Sequence, residues 1–441
     1  MIFPAHCFCL WQGDGTILVT GNHLEAIKFK GDNAWSFATF GKRNKINSLA
    51  NFTIRHRVFW PPFLLLACSA AYSFWSPETF LIAVTSANNW ILRYFGWLFS
   101  GSVFAMVLLC GWIYVSPLSR MVIGGADAQP MLTRRRWFSI ILCTTIAIGI
   151  LFWATAEPLY HLHQPPKQLG LEPGSPAAGR FALSTVFLHW TITPYAIYTL
   201  LALMFSLAFY QFKQPFSLAS MLYPLMKGRI QAAAHWVDAI SLYSLVAGMA
   251  ASLGAGVLTL RGGLNALWQL ESGNGALLVL TFLIIGTAVL SAVSGLMRGI
   301  RTLSNINLWA FIVLAVFVFL SGPTLGLLKN GALGFGEFIT DFVPANLGLN
   351  REPEWTASWT TFYWANWLAW APVTSAFLGR LAVGYTIRDF INYNLLLPAL
   401  FSAIWMLVFS GSALHFDAQA GLFPVLQNHG PEGVIYALLK Q

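Results

Sequence analysis

The sequence predicts an all-α protein that crosses a membrane several times. Of its 441 residues, 57% are hydrophobic and only 9% are charged, whereas about 25% of the residues of a soluble domain are charged. Nine segments are apolar and long enough to span a bilayer, which takes about 20 helical residues. They cover residues 58–75, 97–115, 138–158, 184–210, 235–259, 276–294, 306–326, 361–379 and 393–411. Residues 1–45 show no regular hydrophobic period and are predicted to be a non-membrane segment, and residues 46–441 form the membrane domain.

Charges in the loops between these segments predict the orientation of the chain. Sixteen Lys and Arg residues lie between Lys42 and the first span or in every second loop after it, against seven in the remaining loops and at the C-terminus. Because Lys and Arg are enriched on the cytoplasmic side, we expect a cytoplasmic N-terminus and a multi-pass protein of the cell inner (plasma) membrane. Nine spans would place the C-terminus outside. The net charge of +9 then reflects orientation, and no nucleic-acid partner is predicted.

Small residues interrupt the third and fifth predicted spans. The third contains Cys143–Gly149, followed by the pair Glu157-Pro158 near its outer end. Small residues allow close helix packing, and they also allow a helix to unwind where it lines a cavity. The pattern leaves both interpretations open. In the fifth span, close packing is favoured over a gating hinge for Gly248, Gly254 and Gly256.

Aromatic residues concentrate in the fourth and eighth spans. Trp190 and Tyr198 share a face of the fourth, with Tyr195 beside them, and the eighth has Trp at 364, 367 and 370 with Asn366 between. Trp is typical of membrane interfaces, but this stripe extends inward by about 9 Å, and an amide avoids lipid. Aromatic faces bind cations that cannot donate hydrogen bonds, such as quaternary ammonium groups. An aromatic cage and ordinary packing both remain open from the pattern.

Four runs of residues in this order resemble the betaine/carnitine/choline transporters. They are Thr155–Leu159 (TAEPL), His189–Tyr198 (HWTITPYAIY), Leu303–Asn307 (LSNIN) and Trp359–Pro372 (WTTFYWANWLAWAP). The resemblance extends over about residues 45–415. It implies a leucine-transporter-like architecture of twelve spans, in which spans 3–7 and 8–12 form inverted repeats, and a homotrimer. Spans 8–9 would then be a partial second repeat, and we expect a C-terminally truncated chain.

The resemblance also implies a substrate site. The aromatic box of the family falls on Trp190, Tyr195, Tyr198 and Trp367, and Trp370 matches a further aromatic residue of the pathway. The unwound stretch falls on Thr145–Gly149, where the backbone of Ala147, Ile148 and Gly149 would face the substrate. Asn366 stands where the family usually has Trp, beside the box. The implied substrate is betaine, carnitine, choline or a related solute.

The coupling ion is left open by the resemblance. In sodium-coupled members, hydroxyl groups of the fifth span assist sodium binding, whereas the matching positions here are Leu245 and Met249, which offer no hard oxygen ligand. Val373 also replaces an aromatic residue near that place. Coupling to sodium is therefore disfavoured. The alternatives are coupling to protons and exchange that needs no ion. No cofactor, metal site or catalytic residue is predicted, because the Cys7/Cys9 pair has no second pair or His at metal spacing.

Three functions follow from these patterns. The first is secondary transport of a quaternary-ammonium compound by alternating access. The second is a truncated, non-transporting remnant that binds ligand or partners without flux. The third is a membrane enzyme, for which the polar candidates form only a weak metal pattern. Those candidates are Glu157, His161, His163 and His189.

Overall fold

The computed structural model describes residues 54–146, 149–226, 230–268, 273–293 and 296–441, and four strands near the N-terminus. The strands are β1 (Leu10–Gln12), β2 (Thr16–Val19), β3 (Glu25–Lys30) and β4 (Ala34–Thr39). They form an antiparallel sheet in the order β1-β2-β3-β4. The sequence prediction found no regular period in this segment. The missed signal is the alternation of Ile27 and Phe29 with lysines, a period of two that is typical of strands.

Helices make up most of the rest of the described chain. They are α1 (His56–Trp75), α2 (Pro77–Val115), α3 (Arg134–Thr145), α4 (Gly149–His163), α5 (Pro176–Trp190), α6 (Ile192–Ser206), α7 (Tyr223–Met226), α8 (Ile230–Trp268), α9 (Asn274–Val293), α10 (Leu296–Ser321), α11 (Thr324–Thr340), α12 (Phe342–Asn346), α13 (Pro353–Thr356), α14 (Phe362–Arg380), α15 (Ile387–Ile391), α16 (Leu397–Ala420), α17 (Leu422–His429) and α18 (Pro431–Leu438). Three π-helical turns continue α6 and precede α14 and α16. They are Leu207–Gln211, Ala357–Thr361 and Asn392–Leu396.

Each of the nine predicted spans overlaps a helix or a pair of helices. By length and hydropathy, six helices within the described ranges could cross a membrane, or seven if the bent pair α3–α4 counts as one span. The apolar part of helix α9, Gly275–Leu290, is shorter than these six helices. Helix α14 is not among the six, because its Trp, Tyr and Asn side chains reduce its hydropathy. The helical, membrane-spanning class is thus confirmed, and the count of nine spans stays a prediction.

A helix between the seventh and eighth spans was not predicted. Helix α11 packs against α5 and α16 through small residues. If Gly334 were replaced by a residue with a Cβ atom, that atom would lie 2.7 Å from Cβ of Leu183. A Cβ atom added at Gly331 would lie 2.0 Å from a methyl group of Leu407. At Gly334 the obstacle is a Cβ atom fixed to the backbone of α5, so glycine is needed for this approach, whereas at Gly331 the Leu407 side chain would have to move. The connection therefore belongs to the packed core and is not a free loop.

The core lies among α4, α5, α6, α14 and α16. Helix α14 packs along α6, and α4 packs between α5 and α16. In the spans that contain α5–α6 and α16, most residues are buried, whereas α1, α2 and α8 are largely exposed. The helices that carry the aromatic residues singled out in the sequence are therefore the central ones.

Candidate functional site

The fourth predicted span is broken where its aromatic residues lie. Helix α5 ends at Trp190, Thr191 has a non-helical backbone (φ −114°, ψ −111°), and α6 begins at Ile192. Pro194 stands in the first turn of α6, where a missing N–H is tolerated because those groups have no helical partner. The sequence prediction treated residues 184–210 as one helix and did not use this proline. Because of the break, Trp190 at the end of one helix lines the same cavity as Tyr195 in the next.

Trp367 of α14 is attached to this break. Its indole Nε1 donates a hydrogen bond of 3.1 Å to the backbone carbonyl of His189. In a continuous helix that carbonyl would accept from the N–H four residues later, so the break leaves it available. Both residues are buried. The break in one helix thus sets the position of a ring on another.

The rings meet edge to face. The centroids of Trp190 and Trp367 are 5.2 Å apart with an interplanar angle of 80°, and those of Tyr198 and Trp367 are 6.2 Å apart at 85°. The Tyr195 hydroxyl lies 2.8 Å from the hydroxyl of Ser402 on α16. The cavity beside these rings is lined by Thr145, Ile146, Ile150, Trp190, Pro194, Tyr195, Tyr198 and Trp367. The structure therefore brings the four residues of the predicted box together, and their role in binding stays a prediction.

The predicted unwound stretch coincides with the gap between α3 and α4. The axes of these two helices differ by 54°, and Ile146 has an extended backbone conformation (φ −83°, ψ 102°). Ala147 and Ile148 lie outside the described residues. A Cβ at Gly149 would lie 3.1 Å from Cη2 of Trp190. Gly149 thus allows the start of α4 to approach the box closely.

Two other predicted site residues lie apart from the cavity. Trp370 packs against α8, where a Cβ at Gly248 would lie 3.0 Å from its indole ring. This contact favours the close-packing interpretation of Gly248, whereas nothing lies within 4 Å of a Cβ at Gly254. Asn366 is half-buried. Neither Trp370 nor Asn366 is among the described residues that line the cavity.

A carboxylate lies directly behind the box. Glu157 is fully buried, and its Oε2 accepts hydrogen bonds from Nε1 of Trp190, at 2.7 Å, and from the hydroxyl of Tyr363. Its Oε1 lies 2.6 Å from Nδ1 of His189 and 3.3 Å from Nε2 of His161. The sequence prediction placed Glu157 near the outer end of its span and found no acidic residue among the spans' middle portions. The available signal was the four-residue spacing of Glu157 and His161, which puts them on one helix face.

This polar network joins three parts of the fold. His189 uses its second ring nitrogen, Nε2, to bind the hydroxyl of Thr360 at 3.0 Å. Thr360 belongs to the π-helical turn before α14, and such turns often occur at functional sites. Glu157 on α4, His189 on α5 and Thr360 before α14 are all buried. The network therefore fixes the helices around the box relative to one another.

Glu157, His161 and His189 could also be considered as metal ligands, because one potential ligand atom of each lies within 4.8 Å of the other two. In tetrahedral zinc sites, ligand bonds of about 2.0–2.1 Å hold the ligand atoms about 3.3 Å apart. The 2.6 Å between His189 Nδ1 and Glu157 Oε1 is a hydrogen-bond distance instead. His163 lies elsewhere, bonded to Asp417 at 2.6 Å and stacked on Phe423. Cys7 and Cys9 lie outside the described residues.

Helix α16 completes the backbone hydrogen bonding of α4. Pro158 has no N–H, so the carbonyl of Ala154 loses its helical donor. The hydroxyl of Ser410 replaces that donor at 2.7 Å, and the indole of Trp405 donates to the carbonyl of Ile150 at 3.2 Å. Ser410 thus satisfies a buried carbonyl group that would otherwise lack a donor, and Trp405 adds a second hydrogen bond to a carbonyl that already accepts within α4. They hold in place the helix that carries Glu157.

Comparison with known proteins decides the family. The model of the betaine/carnitine/choline family transporters, BCCT, matches residues 57–441. The chain belongs to the BCCT family. It is 30% identical to a probable glycine betaine transporter of Desulfitobacterium hafniense, over 83% of this chain and 73% of the relative. This membership confirms the resemblance and the prediction that the protein is not an enzyme, since BCCT proteins are transporters.

Other BCCT relatives are named as transporters of different substrates. The high-affinity choline transport protein of Escherichia coli is 31% identical over 80% of this chain and 52% of the relative. The ectoine/hydroxyectoine transporter of Virgibacillus pantothenticus is 28% identical over 78% of this chain and 69% of the relative. Across the relatives compared, the matched part covers 52% to 75% of the relative's length. Family membership therefore does not select one substrate.

Proposed function

We propose that this BCCT protein is a secondary transporter that binds a quaternary-ammonium solute in the aromatic box and moves it by alternating access. The box consists of Trp190, Tyr195, Tyr198 and Trp367. Betaine, choline, carnitine and related solutes are the candidate class. The observation that carries the proposal is the convergence of these four residues, from α5, α6 and α14, on one cavity at the break in α3–α4.

Cation binding requires the rings to move apart. A bound ammonium group lies over a ring face, within about 6 Å of the centroid. Here the edge of one ring already covers part of the face of the other, because Trp190 and Trp367 are perpendicular at 5.2 Å. A trimethylammonium group needs that space. Binding is therefore coupled to a change in the relation of α5 to α14, which is the kind of coupling that alternating access needs.

The assembly and topology belong to the same proposal. We infer two inverted repeats, the first from spans 3–7 and a partial second from spans 8–9, a homotrimer, and a cytoplasmic N-terminus in the inner membrane. The fifth span offers little to a sodium ion, because Met249 is exposed on α8 and Leu245 has no oxygen. A proton gradient or exchange of one solute for another is then the favoured driving force.

The test is counterflow in proteoliposomes. Vesicles loaded with unlabelled choline, glycine betaine or carnitine receive the same labelled solute outside, with sodium or potassium as the only salt. The proposal expects labelled solute to accumulate transiently, with little dependence on sodium. The W190A variant, which removes one wall of the box, should lose this accumulation.

Three other outcomes have defined meanings. Specific binding without counterflow would favour a non-transporting protein that keeps the box. Counterflow of ectoine but of no quaternary amine would replace the substrate class. Neither binding nor counterflow of any of these solutes would overturn the proposal.

A further inference from the structure

Glu157 is a buried carboxylate that no part of the ring-based binding scheme requires. Four groups converge on its two oxygens, from Trp190, Tyr363, His161 and His189. The indole of Trp190 can only donate a hydrogen bond. An ionised carboxylate, which only accepts, satisfies all four groups as donors. In this arrangement His189 donates through Nδ1 and accepts from the hydroxyl of Thr360 through Nε2, so a neutral imidazole suffices.

This carboxylate has no permanently charged partner. Within the described part of the chain, only His161 and His189 form ion-pair contacts with Glu157. The buried cation Arg351 has a partner of its own, because it is paired with Asp341 at 2.7 Å and lies over the rings of Phe181 and Trp355. The network around Glu157 therefore carries a negative charge that no neighbouring Lys or Arg of the described chain cancels.

The charge lies one hydrogen bond from the box. Trp190 Nε1 is 2.7 Å from Oε2 of Glu157, while the indole ring itself lines the cavity. A cation over that ring is therefore separated from the carboxylate by the ring alone. Hydrogen bonding of the indole N–H to an anion also increases the electron density of the ring face, which strengthens its attraction for a cation.

We propose that Glu157 is the counter-charge of the aromatic box and determines its preference for cationic over uncharged solutes of the same shape. This inference rests on the proposed function, because it needs a solute bound at Trp190. Glu157 does not touch the solute and acts through Trp190, so it is a positioning residue as well as a source of field. The rings supply the shape of the site, and Glu157 supplies much of its selectivity for charge.

The test measures selectivity instead of affinity alone. Choline and its carbon isostere 3,3-dimethylbutan-1-ol have the same shape but differ by one charge. Competition against labelled choline or glycine betaine gives the affinity of each for the wild type and for E157Q. A unit charge at about 8 Å and an effective dielectric constant of about 20 changes a binding constant by tenfold or more. We expect the choline-to-isostere affinity ratio to fall by about that factor in E157Q.

A purely structural role predicts a different result. Disturbed packing behind Trp190 would weaken both ligands alike and leave the ratio unchanged, which would overturn the proposal. E337Q is the matched control. Glu337 is a half-exposed carboxylate paired with Arg180 at 2.7 Å, so the same chemical change there should leave the ratio as in the wild type.

A second variant keeps the test decisive if E157Q yields no folded protein or if the isostere binds too weakly to measure. E157D retains the charge but shortens the side chain. The proposal expects E157D to keep the wild-type ratio within a few-fold, and to bind choline at least about tenfold more tightly than E157Q does where both fold. Loss of the ratio in E157D, or equal choline affinity in the two variants, contradicts it. If the wild type binds no quaternary amine, the proposed function itself has failed, which is a separate result.

Discussion

The helices around the box and the helices at the periphery bury very different fractions of their residues. In the most apolar windows of Pro176–Gln211 and Ile387–Ala420, 72% and 61% of the residues are buried, against 6% in α1 and 17% in α2. Their hydropathies are similar, at 1.7 and 1.9 against 1.3 and 2.0. Hydropathy therefore identifies spans but does not separate the helices that form the site from those that face lipid or another subunit.

The interior helices differ in a second way. They are broken or bent at Thr191 and between α3 and α4, and side chains from other helices donate to the backbone carbonyls that lack a helical donor at Thr191 and Pro158. The peripheral α2 is continuous over 39 residues. The same type of substitution should therefore have a large effect in the interior helices and a small effect in the peripheral ones.

The largest expected effect on stability comes from truncating a buried side chain. Leu378 on α14 is fully buried, whereas Leu283 on α9 is 61% exposed. L378A should lower stability by about 2–5 kcal/mol, because it leaves a cavity. L283A should change stability by less than about 0.5 kcal/mol, because lipid or detergent surrounds this side chain in either case. Melting temperatures of the purified variants in detergent measure both, and equal shifts would remove the distinction between the two sets of helices.

A smaller effect is expected where α14 approaches α6. A Cβ at Gly379 would lie 2.6 Å from the carbonyl oxygen of Ala202, whereas nothing lies within 4 Å of a Cβ at Gly336 on α11. G379A should cost about 1–3 kcal/mol through forced separation of the helices. G336A should be neutral or slightly stabilising, because Ala favours the helix. If G379A melts at the same temperature as the wild type, the contact between Gly379 and Ala202 is less tight than the structure indicates.

The smallest of these effects is the loss of one hydrogen bond. Trp405 donates to the carbonyl of Ile150 on α4, and W405F keeps most of the ring while removing the donor. We expect a cost of about 1 kcal/mol, the usual net contribution of one hydrogen bond, because the carbonyl keeps its helical donor, the N–H of Ala154. W309F makes the same change at a half-exposed position of α10 and should be nearly neutral. Similar melting temperatures for the two variants would mean that α4 does not depend on this contact.

The sequence was sufficient for much of the architecture. Hydrophobic length located helices at all nine predicted spans, whereas the small residues before Gly149 left packing and unwinding both open, and only the family resemblance placed an unwound stretch at Thr145–Gly149. The box residues came from the family resemblance, since the spacing of Trp190, Tyr198 and Trp367 left cage and packing equally open. Periodicity shows which residues share a face of one helix, but it does not show which helices meet.

The missed features depend on contacts between distant parts of the chain. Glu157 meets His189 and Tyr363, which follow it by 32 and 206 residues. Trp370 was grouped with Trp367 because both lie on one stripe, yet it packs against Gly248 of α8. Neither contact leaves a local pattern in the sequence.

These two tryptophans, three residues apart on α14, provide the most direct test of the account. The measurement is equilibrium binding of labelled choline and glycine betaine to purified W367A and W370A, with melting temperatures to verify folding. Trp367 lines the cavity and Trp370 does not, so W367A should weaken binding by about 30-fold or more, as loss of a desolvated cation–π contact of about 2 kcal/mol implies. W370A should bind within a few-fold of the wild type. Equal losses in the two variants, or a greater loss in W370A, would contradict the assignment of the box to the cavity beside the α5–α6 break.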